Sequence, residues 1–146
     1  MRTRLSERLR SLVREREFNC CAYCRSPERL SVASFEIDHI IPLSAGGKTQ
    51  PDNLCLACPT CNRYKSDRLT ALDPQSGDVV PLFHPREESW HDHFAWDTDR
   101  VTLVGLTPTG RATIHALDLN RERILKLRRL WAKLGVAPWA EQDSLG

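Results

Sequence analysis

The sequence predicts an α+β protein assembled from short helices and strands, and three observations support this class. An amphipathic helical pattern opens the chain over residues 3–17. A β-branched and aromatic run over 32–43 precedes a short basic helical pattern that begins at Pro59. A second strand-rich segment follows, and helical periodicity returns over 121–134. Period-2 and period-3.6 patterns that follow each other along one chain indicate small sheets packed with helices.

These patterns divide the chain into three predicted segments. We expect an N-terminal helix within 1–17, a core over 18–72, and an extension over 73–146 that contains a β-hairpin and helices and packs on the core. A length of 146 residues suits one domain, or one small domain with an extension.

The first helix is predicted from a narrow apolar stripe that must pack on another element. Its members recur at helical spacing between Arg and Glu residues: Leu5, Leu9, Leu12 and Val13.

In the strand predicted over 32–43, Phe35 and Ile37 share one face. The acidic residues Glu36 and Asp38 share the opposite face.

The strand is predicted to continue into a turn, a second strand, a loop and a helix. Pro42 limits the first strand to an edge or an end of a sheet. A glycine-containing turn over 44–48 and a loop around Pro51 follow. The helix over 59–69 is expected to start at Pro59, because proline suits the first turn of a helix.

The second half predicts a hairpin between two helical regions. Residues 93–96 and 101–104 have the composition of paired strands across a turn at 97–100. Thr107 and Pro108 predict the start of a helix through Leu117.

The last helix, over 121–134, is predicted with Asn120 as its N-cap and Gly135 as its C-cap. Its expected apolar face is formed by Ile124, Leu127, Leu130 and Trp131. We expect the tryptophans to build a second small core rather than to stack on bases.

Composition and charge exclude few functional classes of protein. No apolar run approaches the roughly 20 residues that cross a bilayer. Met1 leads directly into arginines without an apolar core behind them, so we expect no signal peptide, no membrane contact and a cytoplasmic location. The net charge of +2 is too small to indicate a polyanion by itself. Basic clusters within 1–30 and 121–133 suit phosphate contacts, and they equally suit two helices with solvated outer faces.

Six cysteines fall between residues 20 and 61, in one local region that includes two Cys-x-x-Cys pairs. In a reducing compartment such pairs favour a metal site over a disulfide framework. Two pairs can close a tetrahedral zinc site with no open position for water. Zinc would then fix the start of the strand pair to the start of the following helix.

Two assignments of the zinc ligands differ in the second pair. The first pair is Cys21 and Cys24, whereas the second is either Cys55 with Cys58 or Cys58 with Cys61. We choose Cys58 and Cys61, because Cys61 then adjoins Asn62 at the start of the helix. The remaining thiols, Cys20 and Cys55, are expected to be small buried apolar residues.

The central segment resembles the HNH nuclease family, whose fold is the ββα-metal fold. The resemblance covers about residues 18–69 and rests on an ordered set of motifs between the two cysteine pairs. The motifs are Asp38 and His39 with Pro42, then Asp52, Asn53 and Leu54, then Cys61 and Asn62 with Lys65. The third signature position of the family is usually His; here it is Asn62.

The resemblance implies an endonuclease that cuts DNA and leaves 5′-phosphate and 3′-hydroxyl ends, with RNA a less favoured substrate. His39 would be the general base, because an imidazole titrates near neutral pH. Asp38 and Asn62 would hold Mg²⁺ or another divalent cation, which prefers oxygen ligands. Asn53 would orient His39 through a hydrogen bond to the hairpin loop. Phosphate contacts are expected from Lys48, Arg63 and Lys65.

Other interpretations remain open at the level of sequence. Asn62 could cap its helix, and Arg63 and Lys65 could be solvated helix charges. For the whole protein, the alternatives are a non-catalytic, zinc-stapled DNA-binding module and a redox or disulfide protein.

Overall fold

The structure, a computed structural model, describes residues 5–136. Its described part contains short helices and three two-stranded antiparallel sheets, which confirms the predicted α+β class. The helices are α1 (Glu7–Arg16), α2 (Pro59–Lys65), α3 (Trp90–His93), α4 (Pro108–Leu117) and α5 (Glu122–Lys133). The strands are β1 (Glu36–His39), β2 (Leu54–Ala57), β3 (Thr70–Leu72), β4 (Val79–Pro81), β5 (Phe94–Trp96) and β6 (Leu103–Gly105).

The chain forms two compact units. Unit 1 contains the residues up to Asp67 together with His84–Glu87. Unit 2 contains Arg68–Phe83 and the residues from Glu88 onward. The first helix is shorter than predicted, and residues 1–4 and 137–146, the latter including Trp139, lie outside the described part. No helix in the described range is long and apolar enough to cross a membrane.

The core of unit 1 is a strand pair that is covered by two helices. Strands β1 and β2 pair antiparallel, with Asp38 opposite Cys55 and His39 opposite Leu54. All four residues of β2 are buried, whereas in β1 Glu36 is exposed, Asp38 is buried and the other two residues are half-buried. Helix α1 contacts β2, and its Val13 is fully buried. The predicted order of strand, turn, strand, loop and helix is therefore correct.

Helix α2 begins as the sequence predicts and ends earlier. Pro59 occupies the first turn, and the Cys58 thiol accepts a hydrogen bond from the Cys61 amide at 3.4 Å. The helix ends at Lys65, and Ser66 adopts a φ of 51°. Residues from Thr70 then form β3, which sequence reasoning missed and which pairs with β4.

Unit 2 contains the predicted hairpin, β5 with β6, and the predicted helix α4. The Thr107 hydroxyl caps α4 by accepting from the Gly110 amide at 3.0 Å. Two tryptophans belong to the buried core of this unit, as expected: Trp90 and Trp131. Trp90 lies 5.8 Å from Trp96 between ring centroids.

For the last helix, the predicted N-cap is wrong and the predicted apolar face is correct only for Ile124 and Trp131. Asn120 does not cap α5, because its side chain bonds the backbone N–H and C=O of Leu103, both at 2.8 Å. Leu127 and Leu130 are 44% and 50% exposed, so the expected apolar face is only partly buried. Arg128 is buried instead and donates to the carbonyls of Val101 and Leu119 at 2.7 and 3.0 Å.

Candidate active site and thiol cluster

Four buried thiols of unit 1 converge on one point. The sulfur atoms of Cys21, Cys24, Cys58 and Cys61 all lie within 4.8 Å of one another. Cys24 and Cys58 are 3.9 Å apart between sulfurs. Tetrahedral coordination with Zn–S bonds of about 2.3 Å requires sulfurs separated by ~3.8 Å. The cluster therefore fits a metal ion, and none of the six cysteines forms a disulfide.

Local structure brings the two pairs together. The first pair lies in a turn closed by the Cys21 amide, which donates to the Ser26 carbonyl at 2.9 Å. This turn is joined to the sheet because the Ala22 amide donates to the Leu56 carbonyl at 2.8 Å. The second pair opens α2 directly after β2. The predicted choice of Cys58 and Cys61 is confirmed.

The electrostatics of the cluster favour a cation. Burial raises the pKa of Cys21, while a hydrogen bond from the Cys21 thiol lowers the pKa of Cys24. The pKa of Cys58 is lowered as well and that of Cys61 is raised, so the four thiols do not ionise equally without a cation. A divalent cation at the centre removes this inequality, because every thiolate then has a positive partner.

The two remaining cysteines are buried, as expected, and lie outside the cluster. Cys20 is 3% exposed and its thiol donates to the Phe18 carbonyl at 3.4 Å. Cys55 is fully buried on β2, and its thiol donates to the Tyr23 hydroxyl at 3.7 Å.

Asp38 is a buried carboxylate that contacts two side chains through one oxygen. Its Oδ2 lies 3.1 Å from Nζ of Lys65 and 3.4 Å from the hydroxyl of Tyr23. Its Oδ1 has no hydrogen-bond partner among residues 5–136. Burial raises the pKa of Asp38, and the Lys65 ammonium opposes that rise.

Lys65 lies in the interior of unit 1, only 2% exposed. Besides Asp38, its ammonium donates to the backbone carbonyl of His39 at 3.2 Å. It therefore joins the end of α2 to the end of β1. The ammonium is therefore shielded from solvent, whereas the sequence predicted that it would contact phosphate at the surface.

Asn62 faces the same strand from one turn earlier in α2. Its Nδ2 donates a short hydrogen bond to the carboxylate of Glu36. This contact fixes the amide plane and leaves the Asn62 carbonyl oxygen without a partner within the described range. The cap of α2 is Cys58, so Asn62 does not serve as the N-cap.

His39 follows Asp38 on β1, and its ring contacts the loop between the two strands. Its Nε2 lies 2.9 Å from the hydroxyl of Thr49. The ring is half-buried, and its Nδ1 has no hydrogen-bond partner in the described part of the chain. No bend separates Asp38 from His39, since both are paired residues of β1.

Asn53 closes the loop that connects β1 with β2. Its Oδ1 accepts from the Ile41 amide at 2.8 Å, and its Nδ2 donates to the carbonyls of Ile41 and Lys48, both at 2.9 Å. A side chain at Gly47 would place Cβ 1.8 Å from the Ile41 carbonyl oxygen, so the closed loop requires glycine there. Thr49 lies within this loop, so Asn53 holds the segment that contacts His39.

Two of the predicted phosphate-binding residues are exposed. Lys48 lies on the loop closed by Asn53, and Arg63 lies on α2 with its guanidinium 5.8 Å from the Tyr64 ring centroid.

Sequence reasoning missed three side chains that hold the site residues: Tyr23, Glu36 and Thr49. The contact of Glu36 could have been predicted, because Glu36 shares a strand face with Asp38 and the helix that carries Asn62 was expected to lie nearby. Tyr23 and Thr49 carry no signal in the sequence, since their roles depend on contacts across the folded unit.

Comparison with known proteins agrees with this geometry. The model of the HNH endonuclease family matches residues 21–68. That segment contains both cysteine pairs, β1, β2 and α2. No curated protein and no solved structure matches the chain. The thiol cluster and the candidate site therefore lie within the segment of the chain that matches the HNH endonuclease family.

Proposed function

We propose that the protein is a metal-dependent endonuclease that hydrolyses DNA phosphodiester bonds, with RNA a less favoured substrate. The observation that carries the proposal is the way in which Asp38 and Asn62 are held. Each side chain has one polar atom bonded within unit 1 and one oxygen left without a partner among the described residues. Such oxygens suit Mg²⁺, which takes few protein ligands and keeps several waters.

His39 is the proposed general base. In the tautomer whose Nε2–H donates to the Thr49 hydroxyl, Nδ1 carries the lone pair that would take a proton from water. Asn53 would keep this arrangement by holding the loop that contains Thr49.

Asp38 and Asn62 are the proposed ligands of the catalytic cation. When bound, Mg²⁺ would offset negative charge on the phosphoryl oxygens and help the 3′ oxygen to leave. Lys65 would neutralise and orient Asp38 from the interior, and Glu36 would orient the Asn62 amide. We therefore give Lys65 a positioning role in place of the phosphate contact. Phosphate contacts are proposed for the exposed Lys48 and Arg63.

Zinc is the proposed occupant of the thiol cluster. Four thiolates in a closed, buried set are typical of structural zinc sites. The ion would join the turn after α1 to the start of α2, and so keep Asn62 opposite β1.

A His39→Ala variant tests the proposed activity. Cleavage of supercoiled plasmid in Mg²⁺ should fall to background, because the variant removes the proposed general base. Circular dichroism and zinc content should stay unchanged, since the one hydrogen bond that the ring makes within residues 5–136 is to Thr49, outside the thiol cluster. Cleavage by this variant at the rate of the unchanged protein would exclude the assignment.

One observation favours the second function, a non-catalytic, zinc-stapled DNA-binding module. The Lys65 ammonium already neutralises Asp38 at 3.1 Å, which would weaken the attraction of that carboxylate for a cation. DNA binding without Mg²⁺-dependent cleavage of supercoiled, linear or single-stranded substrates would support this function over the first.

A further inference from the structure

A buried tyrosine in the turn of the first cysteine pair is hydrogen-bonded to Asp38. Tyr23 lies between Cys21 and Cys24 in the turn of the first cysteine pair, and it is 1% exposed. Its hydroxyl reaches Oδ2 of Asp38 at 3.4 Å. The same hydroxyl accepts from the Cys55 thiol at 3.7 Å. The turn that would hold zinc therefore also contacts the carboxylate proposed to hold Mg²⁺.

The direction of these hydrogen bonds is fixed by chemistry. A phenol has one proton, and the ionised Asp38 can only accept. The Tyr23 proton is therefore directed at Asp38, and the Cys55 thiol supplies the hydrogen bond that the phenol oxygen accepts. Because the hydroxyl is buried, water cannot replace either partner.

Tyr23 and Lys65 contact the same oxygen of Asp38. Tyr23 approaches from the cysteine turn, whereas Lys65 approaches from the last turn of α2. Two donors on Oδ2 restrict rotation of the carboxylate, and they leave Oδ1 unpartnered within residues 5–136. A carboxylate held in this way presents a single oxygen in a defined direction.

We propose that Tyr23 is a positioning residue through which the cysteine turn sets the affinity of Asp38 for the catalytic cation. This inference rests on the proposed function, since it requires Asp38 to be a metal ligand. It goes further in assigning the cysteine turn a second role: the turn orients a ligand of another metal as well as stabilising the fold.

A Tyr23→Phe variant tests the role, because it removes only the hydroxyl. Titration of Mn²⁺ into the zinc-loaded full chain, followed by calorimetry, should show affinity weakened by about 10-fold, the range typical of groups that orient metal ligands. Zinc content and melting temperature should match the unchanged protein. Tyr64→Phe is the matched control: the chain has two tyrosines, Tyr64 is 38% exposed, and its variant should bind Mn²⁺ normally.

Asp38→Ala, titrated in parallel, separates the two proposals. Loss of Mn²⁺ binding by Asp38→Ala with unchanged binding by Tyr23→Phe would overturn the role of Tyr23 alone. Unchanged binding by Asp38→Ala would overturn both proposals. If Tyr23→Phe loses zinc or structure, Cys55→Ala decides instead. That variant removes the donor to the phenol oxygen and should weaken Mn²⁺ binding; unchanged affinity would overturn the inference.

Discussion

Among residues 5–136, each unit has one buried aspartate that is paired with a basic residue, and the two carboxylates differ in their hydrogen bonds. Asp73 of unit 2 accepts from Arg111 through both oxygens at 3.0 Å. It also accepts from the Ser76 hydroxyl at 2.7 Å and from the Gln75 amide at 3.0 Å. Asp38 of unit 1 uses only Oδ2.

The difference also appears in the protonation equilibria. The Arg111 guanidinium holds the pKa of Asp73 well below its usual range. At Asp38 burial is the dominant effect and raises the pKa. Folding therefore stabilises the charge of Asp73, whereas it makes the charge of Asp38 more costly. A fully satisfied carboxylate indicates a structural role, and a partly satisfied one indicates a group that is kept for a ligand.

Removal of zinc should destabilise unit 1, which contains the thiol cluster, far more than unit 2. Structural zinc contributes on the order of 10 kcal/mol to the folding of small metal sites. A strong chelator should therefore unfold unit 1, seen as loss of amide protection in β1 and β2 by hydrogen exchange. Tryptophan fluorescence should change little, because all four tryptophans follow residue 89. Retained protection of β2 in metal-free protein would contradict this expectation.

Asp38→Asn and Asp73→Asn should separate activity from stability. Asp38→Asn is expected to lower plasmid cleavage by about 10³-fold, since a catalytic metal supplies several kcal/mol and each 1.4 kcal/mol is tenfold. Asp73→Asn should leave cleavage within about 3-fold of normal and lower the melting temperature of unit 2 by more than about 5 °C. Equal effects of the two variants on cleavage would remove the distinction between the aspartates.

Acid should abolish the stabilising effect of Asp73. Because its pKa is lower in the folded state than in the unfolded state, the stabilisation is complete above the unfolded value of about 4. It is lost as pH falls below that value towards the folded pKa. The difference in melting temperature between Asp73→Asn and the unchanged protein should thus be largest at neutral pH and shrink below about pH 4. A constant difference from pH 7 to pH 3 would show that another interaction is responsible.

Local signals in the sequence predicted the elements that carry the site. Cysteine spacing identified the thiol cluster, and Pro59 marked the start of α2, because both depend on residues close together in the chain. The order of β1, β2 and α2 followed from the same kind of pattern. The site roles of His39, Asn53, Asp38 and Asn62 stay predictions, and the variants of His39 and Asp38 test two of them.

Contacts between distant residues could not be predicted. Asn120 was expected to cap α5, but a hairpin strand 17 residues earlier offers its amide two backbone partners. Arg128 is buried on α5 because backbone carbonyl groups of other segments accept hydrogen bonds from its guanidinium. Lys65 was likewise expected to contact phosphate at the surface. Its ammonium is instead buried against Asp38 of β1, a contact that the sequence does not reveal.

The closed loop between β1 and β2 has a consequence for altering target preference. Asn53 fastens both sides of the loop, at Ile41 and at Lys48, so the exposed tip over 43–46 is mechanically separated from His39. Leu43 at this tip is 54% exposed. Under the proposed function, residues of the tip can be exchanged or extended while Asn53 keeps the segment that contacts His39 in place. The loop then offers a point at which contacts to the proposed DNA substrate are altered separately from the proposed base.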